Sequence, residues 1–326
     1  MARSVALLLL AAVAAGCASS TATPGSPAPA PPLSPHDTAD LPPLPDPPVE
    51  GRHFAVYRGD GTPATLDGLL DGLDSADVVL VGEEHDDRIG HRIELALLEG
   101  AYRRHGEEEE RSLVLSLEMF ERDVQLVVDE YLGDLITEEH FLASARPWRN
   151  YQEAYRPLVE FAKVHDLAVV AANAPRRYVN LASRRGRSSL RDLSPEALET
   201  LAPLPYPEAS ATYRAQWDSV MGDAARHMSG SVLDGQTLWD ATMAYSVART
   251  LEARPGALVL HLAGGFHVES GTGIPEDLGR YRPGTRTLSV AIRPVEDPAA
   301  FDPSEHAGRG DFVILSDGSY RGGGGR

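Results

Sequence analysis

Two histidines of this chain sit in the same local frame, Gly82-Glu83-Glu84-His85 and Gly264-Gly265-Phe266-His267, each directly after an apolar run, residues 77–81 and 257–263. An apolar run of that length bounded by glycine reads as a buried strand, and polar residues just past strand carboxyl ends line the crevice where open α/β sheets bind ligands. Both histidines are therefore expected to face one crevice. Neutral imidazole and carboxylate oxygens together suit zinc, manganese or cobalt. A divalent metal ion held by His85, Glu83, Glu118 and His267 would activate water for hydrolysis, with Glu83 and Glu118 as the catalytic carboxylates. The spacing of the two histidine turns does not by itself select that chemistry. No H-E-x-x-H helix, phosphate-binding P-loop or G-x-S-x-G elbow occurs in the chain.

A second group of candidates lies between the two turns. Trp148-Arg149-Asn150-Tyr151, followed by Tyr155, Leu158 and Ala162, places two phenols at i and i+4 on one helical face. Such a stripe packs a core, and phenolate is also a ligand of ferric haem iron, so Tyr151 and Tyr155 are candidates for either role. Arg176, Arg177, Arg184, Arg185, Arg187 and Arg191 fall close together in an otherwise acidic chain. Arginine suits bidentate recognition of carboxylates, including the propionates of haem. Arg176, at a strand end, is the one placed for that role, whereas residues 184–191 read as a solvated face making surface ion pairs.

The elements that must position these residues follow from the hydrophobic pattern. Strand candidates at 77–81, 113–117, 168–172, 257–263 and 287–292 alternate with helical patterns, which implies an α/β fold: a mostly parallel sheet flanked by helices. Ile89, Ile93, Ala96, Leu97 and Ala101 form one helical face, and Thr137 and Asn150 are candidate N-caps. Residues 235–253 read as a long helix feeding the strand before His267. The stretch 194–231, with Tyr206, Tyr213, Trp217 and Met221 but no strand signal, reads as a helical insertion. Four strand ends then carry polar residues: Glu83, Glu84 and His85; Glu118; Asn173 and Arg176; His267.

Composition and the chain's beginning set the setting. The formal net charge of -18 argues against nucleic acid and against electrostatic adhesion to a membrane surface. One positive charge at Arg3 followed by the apolar stretch 5–15 has the layout of a secretory signal and is too short to span a bilayer. It leads into Ala14-Ala15-Gly16-Cys17, which resembles a bacterial lipobox, so Cys17, the sole cysteine, is expected to carry lipid and anchor the chain to a membrane. A chain with one cysteine forms no internal disulfide and no cysteine-based zinc site. The expected organisation is a signal peptide at 1–16, a Pro/Ala/Ser-rich tether at 17–51, an α/β domain at 52–316 and a Gly-rich tail at 317–326.

Gly82-Glu83-Glu84-His85 with His91, Leu117-Glu118-Met119-Phe120, the segment 148–162, Ala172-Asn173-Ala174-Pro175-Arg176, residues 236–244, and residues 262–267 with Gly273-Ile274-Pro275 together resemble the ChaN family of haem-binding lipoproteins, over about residues 75–292. That family is grouped with the Tiki-like and erythromycin-esterase-like proteins. The resemblance implies an α/β fold and a haem-binding rather than enzymatic role in iron acquisition at the outer membrane, with the domain facing the periplasm or the cell surface. It further implies a homodimer holding paired haems, tyrosine ligation by Tyr151 or Tyr155, and an outer-membrane haem transporter as partner. His85 and His267 would line the pocket and Arg176 would meet a propionate. The alternative is the metal-dependent hydrolase built on His85, Glu83, Glu118 and His267, since some relatives are hydrolases; a third reading is an envelope interaction module that has lost both roles.

Overall fold

The computed structural model describes residues 42–106, 111–222 and 231–322; the leader, Cys17 and most of the tether lie outside the described residues. One eight-stranded sheet organises the chain: β1 (Phe54–Arg58), β2 (Pro63–Ala64), β3 (Val78–Glu83), β4 (Leu113–Glu121), β5 (Ala168–Asn173), β6 (Leu258–Gly264), β7 (Thr287–Val295) and β8 (Phe312–Asp317). Their spatial order is β2-β1-β8-β7-β3-β6-β4-β5. All pairings from β8 across to β5 are parallel, and β1 joins β8, and β2 joins β1, antiparallel.

The five strands expected from their apolar runs are present, and all are parallel. β1, β2 and β8 were not anticipated. β8 carries an apolar run, Phe312-Val313-Ile314-Leu315, whose two-sided burial only the closing of the sheet reveals; β2 has two residues, below any sequence signal. Alternate residues of the central strands feed two cores, as the two-residue strand period requires, and Tyr57, Val313 and Leu315 of β1 and β8 form a third, small cluster. Val79, Val81, Leu115, Leu117, Leu260 and Leu262 pack under α2 (Arg88–Ala101) and α6 (Arg156–Val164). Val78, Leu80, Val114, Val259 and Ala263 pack under α7 (Arg176–Arg185), α10 (Val232–Ala253) and α11 (Ile274–Tyr281).

Helix α10, the long helix expected at 235–253, starts three residues earlier and is buried along most of its length, because α7, α11 and the sheet surround it. Where described, the insertion holds two helices, α8 (Pro195–Leu198) and α9 (Ala211–Met221), joined by the irregular stretch 199–210, so the helical expectation is met only in part. Arg187, expected on a solvated face, instead anchors this insertion: its guanidinium donates to Asp234 and to the carbonyls of Tyr206 and Pro207. Among the described residues no helix is long and apolar enough to cross a membrane.

Candidate functional site

β3 and β6 lie side by side with Glu83 opposite Gly264, so the residues after them emerge together. α2, following β3, covers one face of the sheet and α11, following β6, the other; this parting of the chain is a topological switch point, the usual position of a ligand crevice. The glycines differ from expectation. Gly82 does not open a turn but lies inside β3, in the ladder with Ala263 and Ala291. A Cβ there would come within 3.1 Å of the Gly265 Cα and 3.3 Å of the Val268 Cβ, so its role is to let the second histidine turn approach the strand. A Cβ on Gly264 would lie 2.9 Å from the His85 Cε1 and 3.0 Å from its Nε2.

Each histidine is held by a carboxylate at Nδ1. His85 Nδ1 lies 2.7 Å from the Glu83 Oε1, which also accepts from the Tyr155 hydroxyl at 2.6 Å. An ionised carboxylate only accepts, so Nδ1 carries the proton and Nε2 is left facing Gly264. Asn150, at the start of α5 (Tyr151–Ala154), uses its side-chain amide to clamp the His85 carbonyl at 2.9 Å, and Trp148 packs edge-on against the His85 ring at 4.8 Å. Across the crevice, His267 Nδ1 sits 2.6 Å from the Asp240 Oδ1 on α10, with its Nε2 3.8 Å from the Glu118 Oε1 and 3.4 Å from the Gln236 Nε2. Glu118 is itself fixed by the Gly264 amide, which donates to its Oε2 at 2.7 Å. A histidine with Nδ1 locked to a carboxylate and Nε2 turned outward is the arrangement found at metal and haem ligands and at proton-transfer sites.

The electrostatics follow from burial against these pairings. Burial works to raise the Glu83 carboxyl, but His91 and His85 outweigh it and hold the group well below the ordinary 4.5. Burial works to lower His85, but its hydrogen bond to Glu83 and the charges of Glu83, Glu118 and Glu84 push it up to about 9. His267 is likewise raised, its burial outweighed by Asp240 and Glu118.

Of the residues the sequence singled out, His85, Glu83, Glu118 and His267 converge at this crevice, and the His85 side chain is the one of the four that meets solvent, at 27 % exposure. Arg176 opens α7, is half-exposed and lies over the Trp148 ring at 5.5 Å, on the rim beside His85. Tyr151 and Tyr155 do not share one continuous helix: α5 stops at Ala154, and α6 restarts at Arg156 with Pro157 in its first turn. Both rings are nonetheless buried on the same side, Tyr151 against Phe120 and Phe141, Tyr155 between Trp148 and His91. Burial raises both phenols above the ordinary 10.0, and for Tyr155 the charge of Glu83 adds to it. Glu84 turns away from the crevice to Arg293 and Arg321, and Asn173 folds onto the Ala174 amide.

His91 and the segment 236–244 that holds Asp240 carry the family resemblance, but no role was read from sequence for Asp240, His91 or Glu94. Asp240 sits within a helix too continuously buried to show a polar face. The signal for Glu94 was present, since the 3.6-residue period puts it between Gly90 and Leu98 inside the apolar arc of α2, where a carboxylate has no reason to lie unless something holds it. Among the described residues, the group of three such side chains whose ligand atoms all lie within 4.8 Å of one another is Glu83, His91 and Glu94. Glu83 is thus turned towards α2, and the four residues expected to share one metal do not close to that spacing.

No curated protein matches the chain. Among solved structures, the cofacial haem-binding ChaN of Campylobacter jejuni superposes with a TM-score of 0.60 at 15 % identity, over 83 % of this chain and 100 % of that one. A Bacillus cereus protein reaches a TM-score of 0.42 at 12 % identity, over 81 % and 95 % of the two chains. The first of these likenesses bears out the α/β fold. Residues 69–278, well over half of the chain, match the family described as haem-binding uptake, Tiki superfamily, ChaN, and the chain belongs to that family.

Proposed function

We propose that this chain binds haem at the crevice between the ends of β3 and β6 and serves iron acquisition as a lipid-anchored protein of the outer membrane. The observation that carries the reading is membership of the haem-binding family across the very residues that build the crevice. The local chemistry fits. His85 offers an oriented imidazole nitrogen next to solvent, Gly264 keeps the space in front of that nitrogen open, Trp148 supplies an aromatic wall and Arg176 a guanidinium on the rim for a propionate. His85 stands nearest solvent among the candidate iron ligands, and ligation requires its Nε2 to release the proton that the neighbouring carboxylates favour there. Ligation by Tyr151 or Tyr155 requires the buried phenol to leave its core position and, for Tyr155, to release Glu83. A dimer would bring two such crevices together, so that paired haems face each other, and a transporter in the outer membrane would be the partner that receives or supplies haem. The signal layout and Cys17 support the anchored location.

Titration of the purified chain with hemin, followed by visible absorption, tests the reading. A saturable spectral change is expected, displaced by His85→Ala and weakened by Arg176→Ala. A phenolate complex would instead show high-spin ferric charge-transfer bands that survive His85→Ala and vanish in Tyr151→Phe or Tyr155→Phe. Absence of saturable uptake overturns the proposal. The second reading, a metal-dependent hydrolase, is favoured by the Asp240–His267–Glu118 arrangement, which can hold and move a proton at Nε2. Its mark would be loss of hydrolysis in Glu118→Gln and His267→Ala together with retained hemin uptake.

A further inference from the structure

Directly behind the crevice, four polar atoms point at one another inside the protein. Glu83 Oε2, His91 Nε2 and both carboxylate oxygens of Glu94 are buried and have no hydrogen-bond partner. Glu83 and Glu94 are 2 % and 0 % exposed and His91 6 %. The Glu83 Oε2 and the His91 Nε2 face each other at 3.0 Å outside hydrogen-bonding geometry. We propose that Glu83, His91 and Glu94 bind one divalent transition-metal ion, at a site separate from the nitrogen atoms of His85 and His267 that face the crevice.

The geometry is that of a built site. Glu83 closes β3 and His91 and Glu94 stand at i and i+3 on α2, so all three donors come from rigid elements, and their ligand atoms lie within 4.8 Å of one another. Ligand atoms about 2.1 Å from a tetrahedral metal stand roughly 3.4 Å apart, so side-chain adjustments of up to about 1.4 Å close the cluster on an ion. Two carboxylates and a divalent cation sum to zero charge, which removes the cost of burying two acids in an apolar core. One imidazole nitrogen with carboxylate oxygens is the donor set of zinc, manganese, cobalt or ferrous iron rather than of calcium or copper(I). The neighbouring acid, Asp87, is already engaged, accepting from the amides of Ile89 and Gly90 and from the Ser316 hydroxyl. The other Glu83 oxygen holds His85 and Tyr155, so an ion here would brace the crevice histidine from behind without touching it. The competing occupant is a single proton shared between Glu83 and Glu94, with His91 kept as the ion-pair partner of Glu83 at 3.0 Å.

The test uses the purified full-length chain without haem, stripped by a chelator and then dialysed against Co²⁺. Bound metal is measured by elemental analysis, with the visible d–d bands of protein-bound cobalt as a second readout. About one Co²⁺ per chain is expected, with affinity reduced roughly tenfold or more by the near-isosteric Glu94→Gln and by His91→Ala, and unchanged by His267→Ala. Circular dichroism of the apo variants checks that each is folded. Failure of the wild type to retain Co²⁺ would overturn the proposal in favour of the shared proton. Unchanged affinity in Glu94→Gln, or loss confined to His267→Ala, would move the metal to the crevice and overturn it equally. Since haem is absent throughout, none of these results depends on the haem reading.

Discussion

Tyr151 and Tyr155 look interchangeable in sequence, and removing one hydroxyl from each should have opposite effects. The Tyr155 hydroxyl donates to the buried Glu83 carboxylate at 2.6 Å. Tyr155→Phe deletes a charge-assisted hydrogen bond and leaves a buried carboxylate one donor short, a loss of about 1.5–3 kcal/mol. The Tyr151 hydroxyl is buried without a hydrogen-bond partner. Tyr151→Phe keeps the packing against Phe120 and Phe141 while removing a polar atom that gains nothing from burial, so stability should hold or rise by up to about 1 kcal/mol. The two variants should therefore differ by about 1.5–4 kcal/mol. At roughly 2–4 °C per kcal/mol for a domain of this size, that separates their melting temperatures by about 3–16 °C. Urea denaturation followed by far-ultraviolet circular dichroism measures the difference directly, and the m-value shows whether the unfolding transition itself has changed. Equal cost for the two substitutions, or a larger cost for Tyr151→Phe, would refute the assignment of Tyr155 as the buried partner of Glu83.

Three further outcomes follow from residues around the site. Burial pushes His261, in the middle of β6 and paired with the Ser116 hydroxyl at 2.9 Å, from the ordinary 6.5 down to about 3. Its folded value is depressed, so the stability it gives is present above pH 6.5 and drains as the unfolded chain takes up a proton on acidification; the wild type should lose about 2–3 kcal/mol between pH 7.5 and 4.5 that His261→Leu does not lose, and equal losses in paired urea melts at the two pH values would contradict this. Gly264→Ala places a methyl group 2.9 Å from the His85 ring, so hemin uptake should weaken while far-ultraviolet circular dichroism stays unchanged; unaltered uptake would mean that His85 does not face the ligand. Gly235→Ala drives a methyl group to 1.9 Å from the Ser183 Oγ and 3.1 Å from the Val179 carbonyl where α10 crosses α7, and thermal melts should show about 1–3 kcal/mol of destabilisation.

The sequence by itself determined the α/β class, the five central parallel strands and the convergence of Glu83, His85, Glu118 and His267, because each strand is an apolar run and each payload sits at or near its carboxyl end; Glu83 closes β3, and Glu118 lies in β4 where its pairing with β5 shifts register. Parallel strands point their carboxyl ends the same way, so sequence position alone brings those four residues to one edge of the sheet. The glycines were legible as positions but not as roles: that Gly82 lies within β3 and matters through its approach to Gly265 depends on how closely two distant turns pack. The partners that orient the histidines were decided by tertiary structure alone. Asp240 reaches His267 from a helix that begins more than thirty residues upstream, and Tyr155, at the junction of α5 and α6, reaches Glu83 on a strand more than seventy residues earlier. β1 and β2 escaped notice because short strands at the margin of a sheet draw their order from the neighbours they pair with, not from their own pattern. Glu94 shows the limit most plainly: the helical period of α2 placed a carboxylate in an apolar face, but which groups would meet it there, Glu83 and His91, depended on how the helix lies across the end of β3.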